Sequence, residues 1–109
     1  MNKYRNRKTE IDGITFHSRK EGERYLELKM LQRAGKIRDL SMQVEFELIP
    51  KQKGEQACKY KADFVYYVAD TGKMVVEDVK GYKKGAAYQL FSIKRKLMLW
   101  QHGIKIVEV

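Results

Sequence analysis

The chain has 109 residues, room for one compact domain and one hydrophobic core but not for two. Apolar residues at 43% and charged residues at 34%, with a single proline and no apolar stretch near the roughly 18–20 residues of a membrane span, exclude fibrous, low-complexity and helical membrane chains. Lys and Arg number 23 against 14 Asp and Glu, a formal net charge of +9, so a polyanion is the expected partner and nucleic acid the commonest one.

Thr9-Glu10-Ile11, Asp12-Gly13 and Ile14-Thr15-Phe16 read in turn as strand, tight turn and strand, with Asp-Gly supplying the positive φ angles of a type I′ hairpin. Ser18-Arg19-Lys20-Glu21 is a capping-box signature that opens a helix running to about Ala34, with Gly35 as its stop. Met42 to Ile49 alternates imperfectly and ends at Pro50, as a strand does, before the polar turn 51–56. Cys58 to Ala69, rich in Tyr, Phe and Val, reads as a second strand, and Asp70-Thr71-Gly72-Lys73 turns it into a third, Met74 to Lys80. After the basic loop 81–85, a helix is expected from about Ala86 to Gln101. Its apolar residues Ala86, Leu90, Ile93, Leu97 and Trp100 fall on one face, predicted to be the face toward the core. Gly103 ends the helix, and Ile104 to Val109 forms a last strand. After the leading hairpin the order is α-β-β-β-α-β, an α/β (α+β) arrangement with a mixed sheet flanked by two helices. One domain is expected over residues 1–109, with residues 1–8 a flexible basic arm.

The opening segment MNKYRNRKTE has no apolar run behind it and does not read as a signal peptide, and the lone Cys58 forms no internal disulfide; an intracellular setting is expected. One cysteine and two histidines are too few for a zinc site. The charge is unevenly spread. Residues 1–20 carry six basic and two acidic side chains, and 21–62 carry nine and seven. Residues 81–109 carry six and one, whereas 63–80 carry only two basic residues and four acidic ones. An acidic island between basic flanks has no use in simple phosphate coating; it either balances the surface or holds a metal against a phosphodiester.

Three places put carboxylates where such a site needs them. Asp63 stands in an otherwise apolar strand, where it is either an edge residue paired with Lys59 or Lys61 or a functional group. Asp78 and Lys80, two apart, project to one face of the third strand while Glu77 and Val79 project to the other. This pair is either an ordinary ion pair at a strand end or half of a site completed by Asp63 across the hairpin. Glu21 serves the capping box, yet shares the side of the helix that holds Tyr25 and Leu28; Leu26 and Met30 form a competing stripe, and Glu23 and Glu27 look solvated.

The element order, with an acidic residue on the first helix, Ala62-Asp63-Phe64 in the second strand and Val76-Glu77-Asp78-Val79-Lys80-Gly81 in the third, resembles the PD-(D/E)XK nuclease superfamily. With Ser18-Arg19-Lys20-Glu21, Arg24-Tyr25, Glu27-Leu28 and Ile93-Lys94-Arg95-Lys96-Leu97, the chain is similar over nearly its whole length to small phage and prophage endonucleases akin to Holliday-junction resolvases. Ala62 departs from the proline of the superfamily name. The resemblance implies a restriction-endonuclease-like core and Mg²⁺-dependent endonuclease activity (Mn²⁺ substituting) on branched or duplex DNA in phage recombination or replication. It also implies a cytoplasmic location, that of the host if phage-encoded, and a homodimer for paired cuts. Asp63, Asp78, the Val79 carbonyl and Glu21 would then hold the metal, and Lys80 would orient the attacking water and stabilise charge on the phosphorane.

Lys83 and Lys84, in a glycine-flanked loop, together with Lys94, Lys96, Arg5, Arg7 and Lys8, are the candidate DNA contacts. Lys94 is expected near the sheet, with Arg95 and Lys96 turned outward. Tyr66, Tyr67, Tyr82 and Tyr88 either stack on bases or pack within the fold. Two alternatives remain at this point: a non-catalytic binder of double-stranded nucleic acid, whose domain also runs α-β-β-β-α, and an inert nuclease fold used as a scaffold.

Overall fold

The computed structural model describes residues 8–109, so Arg5, Arg7 and the proposed N-terminal arm lie outside the described residues apart from Lys8, which is exposed. The elements follow the expected order: β1 (Thr9–Ile11), β2 (Ile14–Phe16), α1 (Arg19–Arg33), β3 (Ile37–Ile49), β4 (Cys58–Val68), β5 (Met74–Asp78), α2 (Gly85–His102) and β6 (Val107–Glu108). β1 and β2 form a separate antiparallel hairpin, and the other four strands form a mixed sheet ordered β3-β4-β5-β6, with only β5 and β6 parallel. The α+β architecture expected from the element pattern is therefore present.

Local chemistry explains the elements read correctly. Asp12 and Gly13 both adopt positive φ, 54° and 76°, as a type I′ turn requires. The Ser18 hydroxyl accepts from the Glu21 N–H at 3.1 Å and so caps α1. The hairpin lies close against α1 at Gly22, where a Cβ would come within 3.0 Å of Ile11 Cδ1, and the Tyr25 hydroxyl donates to Asp12 at 3.0 Å. α1 buries Glu21, Tyr25 and Leu28 and leaves Leu26 and Met30 exposed, which decides between the two stripes.

The sheet separates two apolar clusters. On one side Tyr25 and Leu28 of α1 pack with Phe16, Ile37, Phe64 and Tyr66. On the other, Phe91 and Met98 of α2 pack with Leu48, Tyr60, Ala62, Val65, Val76 and Ile106. β3 begins at Ile37 rather than Met42, because register shifts between Arg38 and Ser41 break the alternation that marks a strand in sequence. β6 is shorter than expected: Ile104 and Ile106 fill the α2-side cluster, but only Val107 and Glu108 pair with β5.

Of the predicted inner face of α2, only Leu97 packs against the core cluster, and the rest is corrected. Leu90, Ile93 and Trp100 are exposed, Trp100 at 79%, as is Ala86, and the buried side chains are Phe91 and Met98. The face toward the core is made by Phe91 and Met98 with Tyr88 and Leu97 packed beside them, and the half-buried Arg95 and the exposed His102 lie in line with that face. Each of the two basic residues has a partner outside the helix. Arg95 hydrogen-bonds Glu108 and Tyr88, and the His102 Nε2 lies 2.7 Å from the Glu47 carbonyl. Trp100→Ser is accordingly expected to change the unfolding free energy by less than about 0.5 kcal/mol. A urea-denaturation loss above about 2 kcal/mol would instead put Trp100 in the core.

Candidate functional site

β4 and β5 pair in a register that sets Phe64 opposite Glu77, which carries Asp63 and Asp78 to the same end of the hairpin. Asp63 Oδ2 accepts the Val79 N–H at 2.8 Å, so the peptide following Asp78 is anchored on Asp63 rather than on a ladder partner. Neither Lys59 nor Lys61 neutralises Asp63; Lys59 lies 4.0 Å from Glu45. From the first turn of α1, the buried Glu21 carboxyl accepts the His17 N–H at 3.0 Å and lies close enough to Asp63 to oppose its ionisation. Burial, opposed by the Val79 hydrogen bond and reinforced by Glu21, pushes Asp63 up to about 6.

Asp78 is buried on the α2 side of β5. Its Oδ2 accepts the Tyr60 hydroxyl at 2.6 Å, and its Oδ1 lies 2.9 Å from the Lys80 ammonium. Burial and the nearby Asp63 charge raise its pKa, against the pull of Tyr60 and Lys80. Burial and the bond to Asp78 likewise raise Tyr60. Lys80 Nζ sits 3.7 Å from the Phe91 ring centroid, so one aromatic face and one carboxylate fix its direction. Lys20, on α1, donates to the Lys80 carbonyl at 2.7 Å and ties the helix start to the end of β5.

Glu21, Asp63, Asp78 and Lys80 thus come from three elements to one end of the sheet, although only Glu21, Tyr25 and Leu28 sharing a helix face hinted at the first of them. Hard oxygen donors of this kind suit Mg²⁺. Glu21 and Asp63 repel each other when both are ionised, a divalent cation between them offsets that repulsion, and in that respect the residues fit such an ion. Among the described residues, no group of three or more His, Cys, Asp or Glu side chains is gathered tightly enough to hold a metal as it stands. The Lys80 ammonium occupies one oxygen of Asp78.

Comparison with known proteins adds a family. Residues 1–106 match the family described as protein of unknown function DUF1064. The chain belongs to the DUF1064 family. No curated protein and no solved structure matches it.

Around the carboxylates, this DUF1064 protein places its other candidate residues unevenly. Lys83 and Lys84 are exposed in the loop before α2, with Lys83 3.7 Å from Glu108. Lys96 is exposed and Lys94 is half-buried, one turn on from Leu90, which is itself exposed. Arg95 is half-buried, its guanidinium held by Glu108 and Tyr88 rather than turned fully outward. Although burial works against its charge, Glu108 is held below the ordinary carboxylate range by its bonds to Tyr88 and Arg95.

Of the four tyrosines, Tyr66 is buried on Glu77, Tyr88 binds Glu108, and Tyr67 lies 5.0 Å beneath the Arg38 guanidinium. Only Tyr82 among these four is largely free, at 72% exposure. Sequence reading missed three features of the DUF1064 site: the Tyr60 and Lys20 contacts, the Gln43 amide 3.4 Å from Asp63, and the Glu77–Arg24–Tyr66 cluster behind β5. The partners are 18 to 60 residues apart in the chain for all but Tyr66, so no local spacing marks them.

Proposed function

We propose that this DUF1064 protein is a metal-dependent endodeoxyribonuclease that hydrolyses phosphodiester bonds, acting on branched or junction DNA. The observation that carries the reading is the meeting of Glu21, Asp63, Asp78 and Lys80 at one sheet end, beside the basic loop with Lys83 and Lys84. Asp63, Asp78 and Glu21, with the Val79 carbonyl, would hold Mg²⁺ or Mn²⁺. The bound ion supplies a water of lowered pKa and positive charge for the non-bridging oxygens. The chain's own part is to hold these groups in place. Val79 fixes Asp63, and Tyr60 fixes Asp78. Lys80, aimed by Phe91 and Asp78, donates to the phosphate or to the attacking water once an anion draws it from the carboxylate.

Lys83, Lys84 and the exposed Tyr82 serve as the DNA-facing loop, the lysines on phosphates and the ring on an unstacked base. Lys96 and Lys8 extend the positive surface, and Arg5 and Arg7 are proposed as further phosphate contacts. Paired cuts on a junction need two such sites, and hence a homodimer. No helix among the described residues is long and apolar enough to cross a membrane, and the proposed setting is the cytoplasm, where DNA is found.

The test is a panel of four-way junction, flap, single-stranded and duplex DNA with Mg²⁺, Mn²⁺ or EDTA. Metal-dependent cutting, strongest on branched substrates and absent in EDTA, is the expected result. Binding without cutting of any substrate in either metal would leave a binding module or scaffold in place of the enzyme.

A further inference from the structure

The long antiparallel pair β3–β4 contains an irregularity at the candidate site. Met42 pairs with Phe64 and Val44 with Ala62, but Gln43 and Asp63 between them do not pair as ladder partners. Gln43 has φ 53°, a left-handed conformation that costs a residue with a Cβ and is rare inside a strand. The alternation of both strands inverts there. Met42 and Phe64 pack on the α1 side, whereas Val44 and Ala62, two positions on and so expected on the same face, pack on the α2 side.

No residue is inserted to achieve this, since the register is the same on either side. At the inversion, the Gln43 Nε2 lies 3.4 Å from Asp63 Oδ1, while Asp63 Oδ2 is held by Val79. Strain carried by a non-glycine residue directly opposite a functional carboxylate, with its amide on that carboxylate, is unlike ordinary strand packing.

We propose that Gln43 is a positioning residue for Asp63: its amide and its left-handed backbone together set the direction of the Asp63 carboxylate toward a bound divalent ion. This inference rests on the nuclease reading. Glycine would relieve the backbone at no steric cost, so a purely structural position would tolerate Gln43→Gly.

The experiment measures Mn²⁺ binding to the metal-free protein by electron paramagnetic resonance, together with urea denaturation and steady-state cleavage. Gln43→Gly is expected to unfold at no lower urea than wild type, yet to lose about tenfold in Mn²⁺ affinity. kcat should fall at least tenfold with KM for DNA unchanged. Gln43→Met keeps the length and the backbone demand but removes the donor, and should show the same loss of Mn²⁺ affinity; it decides the matter if the glycine variant does not fold. Wild-type Mn²⁺ affinity and kcat in these variants would overturn the role of Gln43 while leaving the nuclease in place. A wild-type protein that binds no Mn²⁺ and cuts no DNA would overturn the nuclease reading, and the positioning role with it.

Discussion

Under the proposed nuclease function, Asp63→Asn is expected to slow cleavage severely and, at pH 7 without metal, to make the protein more stable. Losing one ligand and one charge at the reacting phosphate should cost on the order of 10²–10³-fold in kcat, with DNA affinity little changed. The gain in stability follows from burial. The folded protein pushes Asp63 from 3.8 to about 6, chiefly by burial, so its ionised form is disfavoured in the native state. Native Asp63 therefore holds its proton more tightly than unfolded Asp63 does. The stability it contributes falls as pH rises from 3.8 to about 6 and is level above that range.

Asparagine keeps an oxygen for the Val79 N–H but carries no charge, and should stabilise the protein by about 1–3 kcal/mol at pH 7 and by nothing below pH ~4. Mg²⁺ should raise the melting temperature of wild type and leave that of Asp63→Asn unchanged. Thermal melts across pH 4–8, with and without Mg²⁺, read all of this. An Asp63→Asn variant less stable than wild type at pH 7 would mean that the carboxylate is structural.

Arg24→Ala is expected to be the most destabilising single change in the cluster behind β5. Glu77 is 1% exposed and faces the α1 side, opposite to its neighbour Asp78. Arg24 Nε and Nη2 hold its two oxygens at 2.8 and 2.7 Å, and the Tyr66 hydroxyl donates to it as well. Removing the guanidinium leaves a buried carboxylate with one neutral donor, at a cost of about 3–5 kcal/mol. For a domain of this size that lowers the melting temperature by roughly 15–25 °C. The double variant Arg24→Met, Glu77→Met removes both charges and should recover most of the loss, which a purely steric role for Arg24 would not allow. Asp78 and Glu77 are thus adjacent carboxylates with different tasks, one holding the sheet to α1 and the other facing the candidate site.

The elements themselves were legible because their signals are local. Asp12-Gly13 supplies the turn geometry, Ser18-x-x-Glu21 the helix cap, and Asp70-Thr71-Gly72-Lys73 the break between β4 and β5. The hairpin then follows, and with it the approach of Asp63 to Asp78, since a short turn between two strands permits little else. The inner face of α2 was not legible. Two stripes compete there, and the uninterrupted apolar one is exposed except at Leu97, because the helix turns Phe91 and Met98 to the core and the Arg95 in line with them is satisfied by Glu108, which the helix alone does not reveal. The start of β3 was hidden for a related reason: the irregularity between Arg38 and Ser41 erases the period of two.

Composition, turns and caps act over a few residues, and they suffice to specify a small basic α+β fold in which an acidic segment interrupts positive flanks. Which carboxylates are buried, and what satisfies each of them, depends on how the elements pack. Asp63 rises to about 6 chiefly because it is buried, with Glu21, 42 positions away in the chain, brought near it, and Glu77, which strand alternation turns from Asp78, is satisfied by Arg24 on the other face of the sheet. Such effects depend on distance in space and on exclusion of water, and neither is a property of neighbours in the chain.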